Sequence, residues 1–438
     1  MNAECPCAIC GWRWMQSDHR SLKHRLRIVE CRMEVLKMKC VILAAGEGQR
    51  MRPLTNTMPK VMIPIAGKPI LEYALHACIK CGIRDFVFVI GYGREKVQNY
   101  FQNGRDWNVR IDYAVEEQQL GTGHALKQAR KALAGEKKFL VINGDGLIDP
   151  AAIKELLSGN PPAMLVKHVD PAKEPLSKYG IVRIDGGRVA ELVERPDVSE
   201  PGTVNGGAYL LTNEIFDIMD KHPGKGNNRM TDLVLHMLAE GKEISAVPTS
   251  ALCRKAIYPW DLLSLNSIAS QKMSGGNEGR IEGNVHIDGK VRIGKGTVIH
   301  PNTSIFGPAS IGEGCEIGPN AVIFPTTSIG NNVVIAPFCE IVESVIMDNV
   351  RISTGSIIHS SIIGSGVLAG LRLTANKGES DISVAGEWHH VKSLGAIIGE
   401  DTRIGDNVAI KPGSIIGAGC RIDRDKFVRS VPDGTVVM

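Results

Sequence analysis

A short glycine-rich segment followed by basic residues is the first part of this sequence that suggests chemistry. Gly46 and Gly48 follow an apolar run, and Arg50 and Lys60 come next along the chain. Glycines let backbone N–H groups approach phosphate oxygens closely, and the basic side chains offset phosphate charge. The segment does not end in the Gly-Lys-[Ser/Thr] of a P-loop, so it predicts another kind of phosphate site.

The elements that must position these residues alternate between strands and helices. Apolar runs bounded by glycines predict buried strands, and amphipathic patterns between them predict helices. The strands are 40–44, 86–90 and 139–142, and the helices are 70–81, 94–102 and 124–134. This alternation predicts an α/β domain over residues 38–262, with a doubly wound, Rossmann-like, mainly parallel sheet. Ligands of such sheets bind at the carboxyl ends of the strands.

A six-residue repeat occupies much of the second half of the chain. Isoleucine stands at every sixth position from 281 to 341, the register is lost through 342–397, and it returns at 398–422. Neither a strand of period two nor a helix of period 3.6 gives a repeat of six. The hexapeptide repeats predict a parallel β-helix over 281–430, with its isoleucines pointing inward. The segment 261–272 is predicted to be a helix that leads out of the first domain, and residues 263–280 are predicted to be the linker.

Length and composition limit the class of protein. A chain of 438 residues with 43% hydrophobic and 22% charged residues is expected to fold into two or three domains. The net charge of +4 gives no reason to expect a nucleic acid or a membrane as partner. Without a membrane-length apolar run or a signal peptide, the expected location is cytoplasmic. Residues 1–37 show no packing pattern and are predicted to be a disordered or mis-assigned extension.

The glycine-rich segment resembles the signature of the sugar nucleotidyltransferase family. The string from Leu43 to Thr55, with Pro59-Lys60 after it, matches L-A-A-G-x-G-[T]-R-[LM]-x-P-L-T followed by P-K, except that Gln49 replaces the usual Thr. Further short matches keep the family's order over roughly residues 39–262. The resemblance implies that a sugar 1-phosphate attacks the α-phosphorus of a nucleoside triphosphate (NTP), giving an NDP-sugar and pyrophosphate.

The resemblance also implies a role for each matching residue. Arg50 would hold the β- and γ-phosphates, Lys60 would bridge the two reacting phosphates, and Asp145 would bind Mg²⁺. The nucleotide-binding residues would be Leu43, Ala45, Gly46, Gly48, Glu116, Gly121 and Thr122. The sugar-binding residues would be Gly180, Glu194, Arg195 and Asn205.

Two residues depart from the family's pattern. Glu116 stands where the family reads the base with Gln; a carboxylate accepts from uracil or thymine but suits guanine better, so the choice of base stays open. Lys255 stands where the second metal-binding carboxylate is expected. Either Asp261 or another acid takes its place, or the metal site is weakened, and Asp261 is interpreted first as a helix N-cap. Lys255 also suggests an alternative, a non-catalytic regulatory subunit.

The order of the two regions is similar to that of archaeal-type bifunctional sugar-1-phosphate nucleotidylyltransferase/acetyltransferases. That resemblance implies a left-handed β-helix, a homotrimer formed through it and, if a second activity is present, acetyl-CoA as cofactor. The family's catalytic histidine aligns with Thr354, and His359 lies nearby but off register. His359, Asn376 and Ala396 are therefore candidates for an acetyltransferase site whose expected base is missing.

Overall fold

The computed structural model describes residues 36–170, 179–194, 201–222 and 228–438. The predicted extension at 1–37 falls, up to residue 35, outside the described residues. The nucleotidyltransferase-like first region and the repeat region belong to one compact unit, Val35–Met438. In the part of the chain that is described, no helix is long and apolar enough to cross a membrane.

The first region is built from strands and helices that alternate along the chain. Its strands are β1 Leu36–Ala44, β2 Pro64–Ile65, β3 Lys68–Pro69, β4 Ile83–Ile90, β5 Arg110–Val115, β6 Phe139–Asn143, β7 Gly146–Ile148, β8 Ala163–Val169, β9 Gly180–Asp185, β10 Arg188–Glu194, β11 Gly202–Leu211, β12 Ser245–Thr249 and β13 Cys253–Lys255. Its helices are α1 Ile70–Ile79, α2 Arg94–Phe101, α3 Thr122–Gln128, α4 Pro150–Leu157, α5 Glu214–Lys221 and α6 Met230–Ala239, and α7 Asp261–Lys272 follows. The helix predicted at 124–134 is divided: α3 ends at Gln128, and a separate 3-10 turn covers Arg130–Leu133.

Nine strands form one sheet in the order β5-β4-β1-β6-β11-β8-β12-β10-β9. The doubly wound α/β fold is confirmed, and the four strands β5, β4, β1 and β6 are parallel. Strand β11 runs antiparallel to both of its neighbours, β6 and β8, so the sheet as a whole is mixed. Because β1, β4, β5 and β6 are parallel, the loops after all four lie at the same edge of the sheet.

Both faces of the sheet are covered by helices. Alternate residues of β1 point to opposite sides, so Cys40 and Ile42 join one apolar cluster while Val41 and Leu43 join the other. The first cluster contains residues of α1, α2 and α4, and the second contains residues of α3, α5 and α6. This burial on both faces explains why the strands read as continuous apolar runs.

The repeat region is a parallel β-helix with three faces, each a sheet of eight or nine short strands. The strands of the first face are Gly276–Asn277, Val291–Ile293, Ala309–Ile311, Ser328–Ile329, Val345–Ile346, Ile362–Ile363, Ala396–Ile398 and Ser414–Ile416. Those of the second are Arg280–Ile281, Val298–Ile299, Glu316–Ile317, Val334–Ile335, Arg351–Ile352, Leu368–Ala369, Arg403–Ile404, Arg421–Ile422 and Val436–Val437. Those of the third are His286–Asp288, Ser304–Phe306, Val322–Ile323, Glu340–Val342, Ile357–His359, Thr374–Ala375, Ala409–Ile410 and Phe427–Val428.

The β-helix continues through the segment where the isoleucine register is lost. Ile311 pairs with Ile329, 18 residues on, but Ile329 pairs with Ile346, only 17 residues on, because one corner is a residue shorter. The same shortening recurs before Ile363. The next coil carries an inserted hairpin, Gly378–Val384 with Glu387–Leu394. The fixed count of six fails there, although the buried column of side chains stays unbroken.

A fourth apolar cluster joins the two regions. It contains Met51 and Ile63 from the segment after β1, Leu265 from α7, and Met347 and Ile397 from the first face of the β-helix. Helix α7 begins and ends where the sequence predicted the helical linker, at 261–272. The β-helix therefore supports the back of the segment that contains the predicted phosphate-binding residues.

Candidate active site

The loop after β1 carries the first group of predicted site residues. Leu43 and Ala45 are buried at the end of the strand. Gly46 borders open space, because a Cβ added there would meet nothing within 4 Å. Gly48 has φ +80, and an added Cβ would lie 2.7 Å from the Cβ of Lys60. Only glycine fits both this backbone conformation and this close approach.

Arg50 lies on a 3-10 turn, Gln49–Met51, which is held in place by a buried side chain and a hydrogen bond. The Met51 side chain is fully buried, and the Thr55 hydroxyl donates a hydrogen bond to the Gly48 carbonyl at 3.0 Å. Arg50 itself is half-buried, and no ion pair or hydrogen bond of its guanidinium occurs within the described ranges. Its charge is therefore available to a phosphate.

Lys60 and Asp145 form an ion pair at the carboxyl edge of the sheet. The Lys60 Nζ donates to Asp145 Oδ2 at 2.7 Å, with 13% and 28% of the two side chains exposed. Asp145 follows β6, whereas Lys60 comes from the loop beyond β1, so the parallel pairing of these strands brings the two together. The structure thus joins two of the three predicted catalytic residues in one contact.

A third charged group, Lys255, acts on the same carboxylate. Burial alone would raise the pKa of the Asp145 carboxyl, but the charges of Lys60 and Lys255 and the hydrogen bond from Lys60 outweigh it and hold that pKa below its ordinary value. Asp145 is therefore ionised at neutral pH. Its second oxygen, Oδ1, is buried, and none of the described residues gives it a hydrogen bond.

The predicted base-reading residue, Glu116, already has a partner. Its side chain is buried, and His124 Nδ1 lies 2.7 Å from its Oε1. Burial raises the pKa of the Glu116 carboxyl, and the contact with His124 partly offsets that rise. The loop between Glu116 and His124 contains Gly121, which has φ +118, and Thr122. The Thr122 hydroxyl accepts a hydrogen bond from the Met230 N–H at 2.9 Å.

Three of the predicted sugar-binding residues, Gly180, Glu194 and Asn205, lie where β9, β10 and β11 meet. Gly180 pairs with Glu194, and Ile181, next to Gly180, pairs with Val204, next to Asn205. Asn205 is buried, donating to the Tyr209 hydroxyl at 2.6 Å and accepting from the Gly207 N–H at 2.8 Å.

The main chain of Glu194 belongs to β10, and Arg195 lies outside the described residues. The structure therefore gathers Gly180, Glu194 and Asn205 at one place through backbone pairing, and their contacts with a sugar stay predictions. The Asn205 amide is already engaged in holding the turn of β11.

The donor set fits a divalent cation only in part. Asp145 Oδ1 offers one buried carboxylate oxygen, as a hard cation requires. Asp261, considered as a second ligand, instead accepts from the N–H groups of Ile257 and Tyr258 through Oδ2 at 2.8 Å each. Among the residues described here, no group of three His, Cys, Asp or Glu side chains is placed to hold a metal. One carboxylate suits a cation whose other ligands come from substrate phosphates and water.

The three acetyltransferase candidates lie on adjacent coils of the β-helix. His359 Nε2 is 2.7 Å from Glu340 Oε1, and 22% of the histidine side chain is exposed. Asn376 is exposed directly after the strand that pairs with the His359 strand. Ala396 is fully buried, and its N–H donates to the Ser361 hydroxyl at 2.9 Å. Of these, the exposed edge of His359 and the Asn376 side chain are accessible.

The sequence indicated the site residues themselves but not all of the residues that contact them. His124 stands inside the matched loop, but nothing in the spacing of Glu116 and His124 indicates that the two side chains meet. Lys255 was noticed because it interrupts an expected pattern, and the structure places it beside Asp145. Glu340 carried no signal in the sequence, since its side chain reaches His359 diagonally across a strand pair in which His359 lies opposite Val342.

Residues 39–258 match the family described as nucleotidyl transferase, and residues 305–394 match the GMPPB C-terminal domain. A protein of Methanococcus maripaludis named bifunctional protein GlmU is 40% identical over 405 residues, covering 89% of this chain and 95% of that protein. A bifunctional sugar-1-phosphate nucleotidylyltransferase/acetyltransferase of Sulfurisphaera tokodaii is 31% identical, covering 88% and 96%.

Among solved structures, a putative glucose-1-phosphate thymidylyltransferase from Bacillus anthracis aligns with 55% of this chain and 98% of its own. The sequence identity is 23% and the TM-score is 0.49.

Proposed function

Because this chain belongs to the sugar-1-phosphate nucleotidyltransferase family, we propose that it joins a sugar 1-phosphate to an NTP. The products would be an NDP-sugar and pyrophosphate. The observation that carries the proposal is the Lys60–Asp145 ion pair beside the glycine loop, at the sheet edge where α/β proteins bind ligands.

The residues would act by positioning and by charge. An oxygen of the sugar 1-phosphate attacks the α-phosphorus, one P–O bond forms, and the bond to the β-phosphate oxygen breaks as pyrophosphate leaves. Lys60 contacts both reacting phosphates, and Asp145 keeps its ammonium in place. Arg50 offsets the charge that develops on the leaving pyrophosphate. Such transfer needs no covalent intermediate with the protein.

Mg²⁺ is proposed as the cofactor of this reaction, with Asp145 Oδ1 as its protein ligand. When bound, the ion would neutralise phosphate charge. Asp145 contributes a carboxylate that is ionised at neutral pH, since Lys60 and Lys255 lower its pKa.

The test is a substrate panel with pyrophosphate release as readout. UTP, dTTP, GTP, CTP and ATP are each combined with glucose, N-acetylglucosamine and mannose 1-phosphates in the presence of Mg²⁺. At least one pair is expected to release pyrophosphate. The preferred base will show whether Glu116 accepts from uracil or thymine or from guanine. If no pair releases pyrophosphate, the result would contradict the proposal and favour the non-catalytic regulatory subunit.

We also propose that the β-helix assembles the chain into a homotrimer. The GlmU-named relative is covered over nearly its full length, so it shares both regions with this chain. Light scattering on the purified full-length protein tests this, with three times the 47.4 kDa chain mass expected.

A second candidate activity, acetyl transfer to an amino-sugar phosphate, is supported by the Glu340–His359 pair. A carboxylate bound to a partly buried imidazole orients it as a general base. The Sulfurisphaera tokodaii relative is named as an acetyltransferase as well. Release of CoA from acetyl-CoA with glucosamine 1-phosphate, lost in His359→Ala, would support this activity. No CoA release at high protein concentration would exclude it.

A further inference from the structure

The main chain fixes Lys255 beside Asp145. Strand β13 pairs antiparallel with β7, so that Lys255 lies opposite Gly146, the neighbour of Asp145. The N–H of Ala256 donates to the Asp145 carbonyl at 3.0 Å. A Cβ added to Gly146 would lie 2.9 Å from the Cα of Lys255. The two segments therefore touch, and Lys255 cannot move away without breaking this pairing.

A glycine on β11 makes room for the Lys255 ammonium. Gly207 has φ +77, and an added Cβ would lie 2.7 Å from Lys255 Nζ and 2.7 Å from Asn143 Nδ2. The Gly207 N–H is held by Asn205 Oδ1, which fixes the turn. The ammonium thus occupies a defined space between Asn143, at the end of β6, and the irregular turn of β11 at Gly207.

Two ammonium groups therefore act on the Asp145 carboxylate. Lys60 takes Oδ2, the strand pairing places Lys255 beside the same residue, and Oδ1 is the oxygen that remains for a cation. Ammonium groups close to a carboxylate repel a free divalent cation and attract phosphate oxygens. A cation would gain enough ligands here only by arriving with phosphates.

We propose that Lys255 binds substrate phosphate together with Lys60, and that the free protein holds no divalent cation at Asp145. The cation enters only on the nucleotide. This inference rests on the proposed function, which it deepens by naming a further phosphate-binding residue.

Manganese binding to the free full-length protein tests the cation half of this proposal. Electron paramagnetic resonance of Mn²⁺ is expected to show no site tighter than about 1 mM in wild type. Lys255→Asp is expected to gain a site for one Mn²⁺ at least about tenfold tighter, because a second carboxylate replaces a positive charge. The double variant Lys255→Asp/Asp145→Asn should lose that site. A tight Mn²⁺ site in wild type that Asp145→Asn removes would overturn the proposal.

Pyrophosphate binding without metal tests the phosphate half. Calorimetry is expected to show binding to wild type, weakened at least about tenfold in Lys255→Gln. Lys242→Gln is a matched control, since Lys242 pairs with Glu214 on the surface of α5, away from the sheet edge. Equal binding by Lys255→Gln and wild type, or no binding by wild type, would overturn this role.

These results are separable from the substrate panel. Pyrophosphate release by a wild type that binds Mn²⁺ tightly when free would sink the inference and leave the proposed reaction standing. A wild type that follows both binding predictions but turns over no substrate pair would do the reverse.

Discussion

The front site and the β-helix of this chain are built in opposite ways. The Lys60–Asp145 contact joins residues 85 apart in sequence, and Lys255 reaches the same carboxylate from a strand more than a hundred residues further on. In the β-helix, core isoleucines such as Ile311 and Ile329 pair with isoleucines only 18 and 17 residues further on. When a corner of the repeat is one residue shorter, the buried column of core side chains is unchanged. The site, where each residue has its own role, has no such tolerance.

The largest expected effect comes from breaking the repeat. Ile317 is fully buried in the β-helix core, so Ile317→Lys places a charge where nothing pairs with it. We expect a loss of about 3–5 kcal/mol in the free energy of unfolding, or failure to assemble. Urea denaturation measures the stability and light scattering the assembly, with Phe338→Lys at an exposed position as the control. Unchanged stability in Ile317→Lys would contradict the assignment of the core.

The converse variant breaks the site and leaves the fold intact. Lys60→Ala or Asp145→Asn is expected to lower kcat about 10²–10³-fold, because a charge aligned with the reacting phosphates is lost or misplaced. The oligomeric state should stay that of wild type, and both variants should remain folded at the assay temperature. Lys221→Ala, which breaks an exposed ion pair with Glu240, serves as the control. Retained turnover in both site variants would refute their roles.

A buried carboxylate of the first region links its stability to pH. Glu72 on α1 accepts from Lys68 at 2.5 Å and Tyr100 at 2.6 Å and contacts His76 at 3.0 Å. Burial would raise the pKa of Glu72, but these hydrogen bonds lower it to about 2. Because the folded pKa lies below the unfolded one, the stabilisation is present at neutral pH and is lost as pH falls from about 4.5 toward 2.

Glu72→Gln should therefore cost about 1–3 kcal/mol at pH 7, and the difference from wild type should shrink as the solution is acidified. Urea unfolding at pH 7, 4 and 3 measures it, with the exposed Glu243→Gln as control. A difference that grows on acidification would contradict the assignment.

The smallest effect is expected where the two regions meet. The Thr57 hydroxyl donates to Glu400 at 2.6 Å and the Asn56 amide to Asp433 at 2.9 Å, joining the segment before Lys60 to the last coils. Both bonds are exposed, so Glu400→Ala with Asp433→Ala should raise the KM for NTP only about two- to fivefold. A fall in kcat as large as that expected for Lys60→Ala would mean that the β-helix takes a direct part in catalysis.

The sequence predicted the architecture better than the contacts, for a physical reason. Buried strands and hexapeptide repeats leave a pattern within a few residues, so the α/β fold, helix 261–272 and the β-helix followed from local spacing. The Glu116–His124 contact depends on how a loop folds back, and no local pattern records it. The register after residue 341 failed for a similar reason, since a corner one residue shorter changes the count but not the core.

The most direct test of the account follows the phosphorus atoms of the nucleotide. With the active pair from the panel, the NTP is labelled with ³²P at the α- or at the γ-position, and products are separated. Attack on the α-phosphorus predicts that the α-label enters the NDP-sugar and the γ-label leaves in pyrophosphate. Recovery of the γ-label in the sugar product, or of the α-label in free nucleotide with no NDP-sugar formed, would contradict it.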